Sequence, residues 1–460
     1  MTETEDLTAT AGCPVGQATP IHDRAFADDP DGVYARLREQ GPLATVELAP
    51  GVPATLVLDH ETALSVLRDP GTFPKDSRNW QQHAPEDSPV LPMMMYRDNV
   101  LFQDGPEHHR LRGAITDSLE RADSFTLRRY VTESAEELIR GFAPSGRADL
   151  LNDYGRILPL LVLTRLFGSP PETTTRMVAA ITALWDGVDV EQANADLGSC
   201  ISEVIALRRE HPAADVTTWL LEHEADLGHE EMIQQLVVLM GAGAEPMQNL
   251  IVNALRLWLS DDRFAGDLSG GRLPVEDAIE EVLWKQPPLA NYAITYPVRD
   301  VELADRVLPA HQPVVIGIAA VNTDPALNAF RRDGNRAHLA WSAGAHTCPA
   351  RGTAHLIASV AIETILDRLP DMDLAVPVEQ LQWRTGPFHR ALTTLPVHFP
   401  PVPELDRDEE ESGGGDQWST RPALTRWTRQ VATSTPKRSS SAGKGLRQGL
   451  SYLGEWLRGR

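Results

Sequence analysis

Between residues 31 and 369 the chain repeats apolar residues at three- and four-residue spacing in ten separate stretches. No other feature restricts its fold as strongly. The stretches are 31–40, 61–68, 107–121, 124–142, 152–167, 171–185, 191–211, 230–260, 274–286 and 349–369. Strand-like runs are fewer, at 44–48, 54–58, 292–301 and 307–318, with another near 392–397. Strands at both ends flank a large helical block. Length alone suggests about three domains, yet between residues 20 and 400 there is no Ser/Gly-rich linker and no internal repeat. The pattern predicts one mainly α, α+β domain with small sheets.

Composition agrees with a packed body. Of 460 residues, 42 % are hydrophobic and 23 % charged, as in ordinary globular proteins. No stretch of about 18 uncharged apolar residues predicts a membrane span. The first thirty residues are acidic and lack the apolar core of a secretory signal. Three cysteines, Cys13, Cys200 and Cys348, cannot build a disulfide framework, so a reducing, cytoplasmic setting is expected. A net charge of −23 argues against nucleic acid as a partner of the whole protein.

That charge is divided. Residues 417–460 hold nine basic residues and one acid, Glu455, a net +8, and the remainder carries −31. The reading is therefore a flexible leader at 1–20, a folded body at 21–403, an acidic Gly-rich linker at 404–416 and a basic tail at 417–460. Leu446, Leu450, Leu453 and Leu457 fall on one helical face of that tail. Such a helix suits an anionic membrane surface or a groove on a protein partner. The alternative is a frayed segment, since short helices are marginal alone.

The stretch that carries chemistry is Trp341 to Arg351, WSAGAHTCPAR. A cysteine follows a Gly-containing turn and precedes a long helical pattern. Pro349 is expected in the first helical turn, where its missing N–H costs nothing. Free backbone N–H groups and the positive helix end would favour the thiolate of Cys348. Gly344 would let the loop fold over a flat ligand. Such a thiolate ligates a metal or attacks a substrate. No second Cys or His at zinc spacing accompanies it. Cys200 lies in an apolar-periodic helix and Cys13 in the polar leader, so both read as inert.

This run resembles the haem-binding signature of the cytochrome P-450 family, Phe-Gly-x-Gly-x-His-x-Cys-x-Gly. Gly344, His346 and Cys348 match in register, with Trp341, Ser342 and Ala350 standing for the Phe, the first Gly and the last Gly. DGPEHHRLRGAITDSL resembles the family's helix that contacts the haem propionates, and YPVRDVELADRVLPAHQPV echoes a further family segment. Over residues 20–400 the resemblance implies the single-domain cytochrome P-450 fold and haem b (iron protoporphyrin IX). Cys348 would be the iron ligand, with His108, Arg112 and His346 as propionate partners. Implied also are oxygen insertion into an apolar small molecule, electrons from a ferredoxin and its reductase, and an actinobacterial origin. Substrate contacts would come from the segment after Phe73, with Met93–Met95 and Tyr96, and from the helices around 171–211; for the three methionines ordinary packing is the alternative.

Three departures stand out. Trp284 occupies the arginine position of the family's Glu-x-x-Arg, which leaves Glu281 to find another cation, be hydrated or be protonated. Arg331, Arg332 and Arg336 are the candidates, and the indole N–H of Trp284 would act as a donor. An atypical actinobacterial subgroup looks similar here. In LVVLMGAGAEPMQNLIVNAL, Ala242, Gly243 and Glu245 match the family's oxygen-binding helix, but Pro246 replaces its threonine. A proline inside a helix costs about 3 kcal/mol unless a kink is wanted, and the helix is expected to be opened here. Proton delivery would then fall to Glu245, Gln248 or water, with the backbone of Gly243 close to the haem. Finally, Thr295 stands where the family often has a further propionate-binding arginine, and Arg299 is out of register. These departures keep a second reading open: a haem protein that uses peroxide, or a non-oxygenating sensor or scaffold in a signalling complex.

Overall fold

A computed structural model of the chain describes residues 18–186, 188–265, 274–329 and 335–403. Residues 1–17 of the leader, the acidic linker and the basic tail lie outside the described residues, as do Cys13, Arg331 and Arg332.

Ten helices of eight residues or more are present among the described residues, and each corresponds to one periodic stretch. They are α1 (Pro30–Arg38), α2 (His60–Leu67), α3 (Gly105–Glu120), α4 (Ser124–Phe142), α5 (Leu158–Leu166), α6 (Pro171–Asp186), α7 (Val190–Glu210), α8 (His229–Ser260), α9 (Val275–Lys285) and α10 (Arg351–Arg368). Local chemistry sets many of their ends. Asp59 caps α2 by accepting from the Thr62 N–H at 3.0 Å, and Asp123 caps α4 by accepting from Thr126 at 2.7 Å. Glu231 reaches back to the Gly228 N–H at 2.8 Å and closes the start of α8.

The sheets are small. β1 (Thr19–Pro20), β2 (Leu43–Ala49), β3 (Val52–Val57), β4 (Tyr292–Thr295) and β5 (Val314–Ile316) form one sheet in the order β1-β2-β3-β5-β4. β3 pairs with β5 in parallel, Thr55 opposite Val314, and β4 pairs with β5 antiparallel, Thr295 opposite Val314. The β4 ladder carries an irregularity between Tyr292 and Thr295, where Ala293 has φ of 52°. The main core surrounds α8, which packs against α5, α9 and α10. The sheet encloses its own apolar clusters beside this helical core.

Prolines account for most differences from the sequence reading. The single helix expected at 152–167 splits into a wide turn, Leu150–Gly155, and α5, with Pro159 in its first turn. The long strands expected at 292–301 and 307–318 are cut short around Pro297, Pro309 and Pro313. The last strand shrinks to Pro396–His398. Pro349 precedes α10, which begins at Arg351, so the proline belongs to the turn rather than to the first helical turn. Pro246 does not open α8, which runs through it without interruption. No helix among the described residues is long and apolar enough to cross a membrane.

Candidate haem site

The loop before α10 is built around Cys348. Its N–H donates to the Trp341 carbonyl at 2.8 Å, closing the loop, and Thr347 donates to the Gly344 carbonyl through its N–H at 3.2 Å and its hydroxyl at 2.8 Å. Gly344 has φ of +70°, and a Cβ there would lie 2.1 Å from the Leu67 carbonyl oxygen. Its bare backbone therefore seats the loop on the end of α2, a more specific need than general pliancy. Ser342 has φ of 60° and ψ of −170°, a region natural to glycine and costing other residues about 1–3 kcal/mol. Its departure from the signature glycine is thus one of conformation as well as size.

Burial pushes the Cys348 thiol up, and the Ala350 N–H and Arg112 pull it down without overcoming burial. The Ala350 N–H thus acts in the expected direction, and a cation at the sulfur would add to it. Cys200 is fully buried, as expected of an inert thiol.

α3 brings His108 and Arg112 to this loop. Arg112 donates to the Thr347 carbonyl and, at 3.2 Å, to the Thr116 hydroxyl. His108 is 2 % exposed and among the described residues its Nε2 has no hydrogen-bond partner. Burial, aided by His346 and Arg112, drives its imidazole down to about 4, so it is neutral at pH 7. The His108 and His346 rings lie 4.1 Å apart between centroids. His346 Nε2 is 3.1 Å from Asp104 Oδ1. All four residues named from the sequence, His108, Arg112, His346 and Cys348, thus converge.

The helix α8 gives a mixed result. Ala242 is exposed, whereas a Cβ on Gly243 would meet Leu163 Cδ1 at 3.0 Å. The bare Cα of Gly243 therefore lets α8 pack closely on α5. Pro246 has no N–H to offer the carbonyl of Ala242 four residues back. Glu245 pairs with Arg384 and lies 3.8 Å from His389. Burial opposes its charge, yet His389 and Arg384 outweigh burial and hold the carboxyl down at about 2. His389 is itself pushed down by burial, so Arg384 is the lasting cation. Gln248 is buried and donates to Asn249 Oδ1 at 3.2 Å. Met94 and Met95 are core residues, and Tyr96 stacks under Arg78 at 4.5 Å, so this segment reads as packing.

The largest correction concerns α9. Glu281 is not the buried acid. It pairs with Lys285 at 2.5 Å and Arg263 at 3.4 Å on the outer face. Its neighbour Glu280 turns inward, 3.4 Å from His338 Nε2, 3.4 Å from His355 Nε2 and 3.5 Å from Arg336 Nε. His338 Nδ1 accepts from the Ala340 N–H at 3.3 Å, so its proton sits on Nε2, facing the acid. Burial alone would raise Glu280, but the two imidazoles and Arg336 bring it to about 2. Of the cations proposed for Glu281, Arg336 is thus used by Glu280. Trp284 is buried, donates from Nε1 to the Asn335 carbonyl at 2.9 Å and meets the His338 ring edge-on at 5.5 Å. It acts as the donor and packing element that the sequence suggested.

Glu280→Gln is expected to lower stability at pH 7 by about 2–4 kcal/mol, because one partner of a mostly buried ionic cluster is removed. Glu280 is depressed from its unfolded value of 4.5. Its contribution is therefore complete above 4.5 and fades as pH falls toward 2. The melting temperatures of wild type and variant should converge as the buffer is acidified below pH 4. A constant gap would remove the ionic explanation.

A mainly helical body with a cysteine loop at the start of a long helix, beside imidazoles and a guanidinium, defines a haem-thiolate class of protein. No family profile matches the chain, but individual relatives do. It is 31 % identical over 395 residues to the cytochrome P-450 monooxygenase PikC of Streptomyces venezuelae, covering 81 % of this chain and 92 % of that one. The mycinamicin IV hydroxylase/epoxidase of Micromonospora griseorubida is 29 % identical, over 80 % of this chain and 94 % of its own. Among solved structures, the bacillaene polyketide synthase cytochrome P-450 PksS of Bacillus subtilis superposes with a TM-score of 0.71 at 26 % identity, covering 82 % of this chain and 98 % of that one. The chain belongs to the cytochrome P-450 family, and with it to the oxidoreductases that use haem as cofactor. Its donor set suits that group. Cys348 would offer the iron a soft sulfur, and His108 Nε2, buried and without a partner among the described residues, would with Arg112 suit the carboxylates.

Proposed function

We propose that the protein is a monooxygenase of apolar small molecules, in which Cys348 ligates the haem iron and a ferredoxin with its reductase supplies the electrons. The observation that supports it best is the Cys348 loop, closed by the Trp341 carbonyl and with the Ala350 N–H directed at the sulfur. Bound haem would supply oxygen activation, pushed toward O–O cleavage by the thiolate. Backbone N–H donation to the sulfur would temper that push. Arg112, His108 and His346 would hold the carboxylates, Arg112 giving up the Thr347 carbonyl to do so. Relatives bearing the names hydroxylase and epoxidase support oxygen insertion.

A second reading is favoured by α8. Pro246 carries no hydroxyl, and Glu245 is an ionised acceptor committed to Arg384, so neither stands ready to donate a proton. The Ala242 carbonyl lacks the N–H that residue 246 would ordinarily supply, and a carbonyl can only accept. Water held at that carbonyl would carry the proton, or the protein would draw on peroxide, whose oxygen arrives already reduced.

The test is turnover of a panel of apolar small molecules by the holoprotein with NAD(P)H, ferredoxin reductase and ferredoxin under ¹⁸O₂. Product enriched by one labelled oxygen is expected. Product only with hydrogen peroxide would select the second reading, and no product under either condition would reject oxygenation.

A further inference from the structure

The sequence lacks the propionate-binding arginine at Thr295, yet a cation reaches the same edge of the site from another element. Lys75 follows Phe73 in the segment between α2 and α3. The Tyr296 N–H donates to the Pro74 carbonyl at 2.9 Å, which ties this segment to the end of β4. The Lys75 ammonium turns inward and donates to the Ile294 carbonyl at 3.0 Å. That carbonyl lies within the irregular part of the β4 ladder, one residue before Thr295.

A second set of contacts links Lys75 to the residues of the haem pocket. Its N–H donates to Asp104 Oδ2 at 2.6 Å, while Asp104 Oδ1 faces His346 Nε2 at 3.1 Å, and His346 stacks near His108. Asp104 therefore joins the Lys75 backbone to the imidazole pair. Lys75 and Arg112 both act electrostatically on His346. Among the described residues, two cations with two imidazoles thus surround one acid, a balance short of one anion. A carboxylate on the ligand would supply it.

We infer that Lys75 is a propionate-holding residue of this chain, doing from the segment before α3 what an arginine at Thr295 would do from the sheet. The inference rests on the haem reading above. An ammonium has three N–H donors, and among the described residues Lys75 has one hydrogen bond from its side chain, to Ile294. Burial also pushes the ammonium down to about 8, with Asp104 opposing. This direction fits a cation that awaits a closer counter-charge. A purely structural lysine, capping the irregular strand, predicts instead that the ligand's carboxylates are irrelevant to it.

The experiment is haem release from the holoprotein to excess apomyoglobin at pH 7, for wild type, Lys75→Met and Lys75→Arg. Loss of a charge-assisted contact should speed release from Lys75→Met by about tenfold or more, with Lys75→Arg within a fewfold of wild type. The same proteins are then reconstituted with protohaem dimethyl ester, which has no carboxylates. Here Lys75→Met should release at the wild-type rate. An unchanged rate with protohaem, or equal acceleration of both haems, would overturn the inference. If Lys75→Met fails to fold, Lys75→Gln carries the same comparison. The reduced carbon monoxide spectrum of wild type separates the two levels. Without a thiolate band the haem reading itself fails, whereas a normal band with unchanged release removes Lys75 alone.

Discussion

Cys348→Ala should erase the long-wavelength band of the reduced carbon monoxide complex completely and abolish monooxygenation. The loop offers no second sulfur to replace it, and Cys200 is fully buried in α7. The backbone should survive, because the bond that closes the loop comes from the Cys348 N–H and not from the side chain. His108, His346 and Arg112 remain to hold the carboxylates, so some haem should still bind, now without its sulfur ligand. The outcome to look for is therefore haem in the purified variant with a shifted spectrum. A wild-type band in Cys348→Ala would place the iron ligand elsewhere and overturn the site. Because burial raises the free thiol, apoprotein at pH 7 should also alkylate slowly at this position, and a thiolate should form on metal binding with release of its proton.

Gly344→Ala should destabilise the protein by about 3 kcal/mol or more, the largest effect we expect from any single methyl group in the site. Two costs add. The left-handed conformation is unfavourable for alanine, and the new Cβ would lie 2.1 Å from the Leu67 carbonyl oxygen, which is backbone and cannot rotate away. The loop would have to lift from α2 and carry Cys348 with it. Calorimetry should show a lower melting temperature, and the purified variant should contain less haem than wild type. Full haem content with an unchanged melting temperature would show that the loop does not rest on α2.

Much of this was legible in the sequence, for identifiable reasons. The ten helices follow from periodicity because each buries one face against a common core. The cysteine loop was legible because its chemistry is local: Gly344, His346 and Cys348 lie within five residues. What the sequence concealed was non-local or rotational. Glu281 has the family's spacing to Trp284. Yet Glu280 and Trp284, four apart, share the inner face of α9, while Glu281 and Lys285, also four apart, pair on the outer one. That i, i+4 charge pair was the missed signal. His338 and His355 come from either side of Cys348, and only the fold brings them to Glu280. Arg384 and His389 reach Glu245 from well over a hundred residues away. Asp104 and Lys75 carry no motif, and only the tie to β4 makes them neighbours of the haem pocket.

The contact of Trp284 has a bearing on how this region can change over time. Its indole donates to the backbone carbonyl of residue 335, an acceptor that every amino acid provides. Position 335 is therefore free to drift as far as that bond is concerned, while position 284 is not. A pair of charged side chains would bind both positions to each other's identity. By relying on a main-chain acceptor, the protein has replaced mutual dependence with a one-sided one, and a lineage that adopts it can diverge in the loop without first changing the helix.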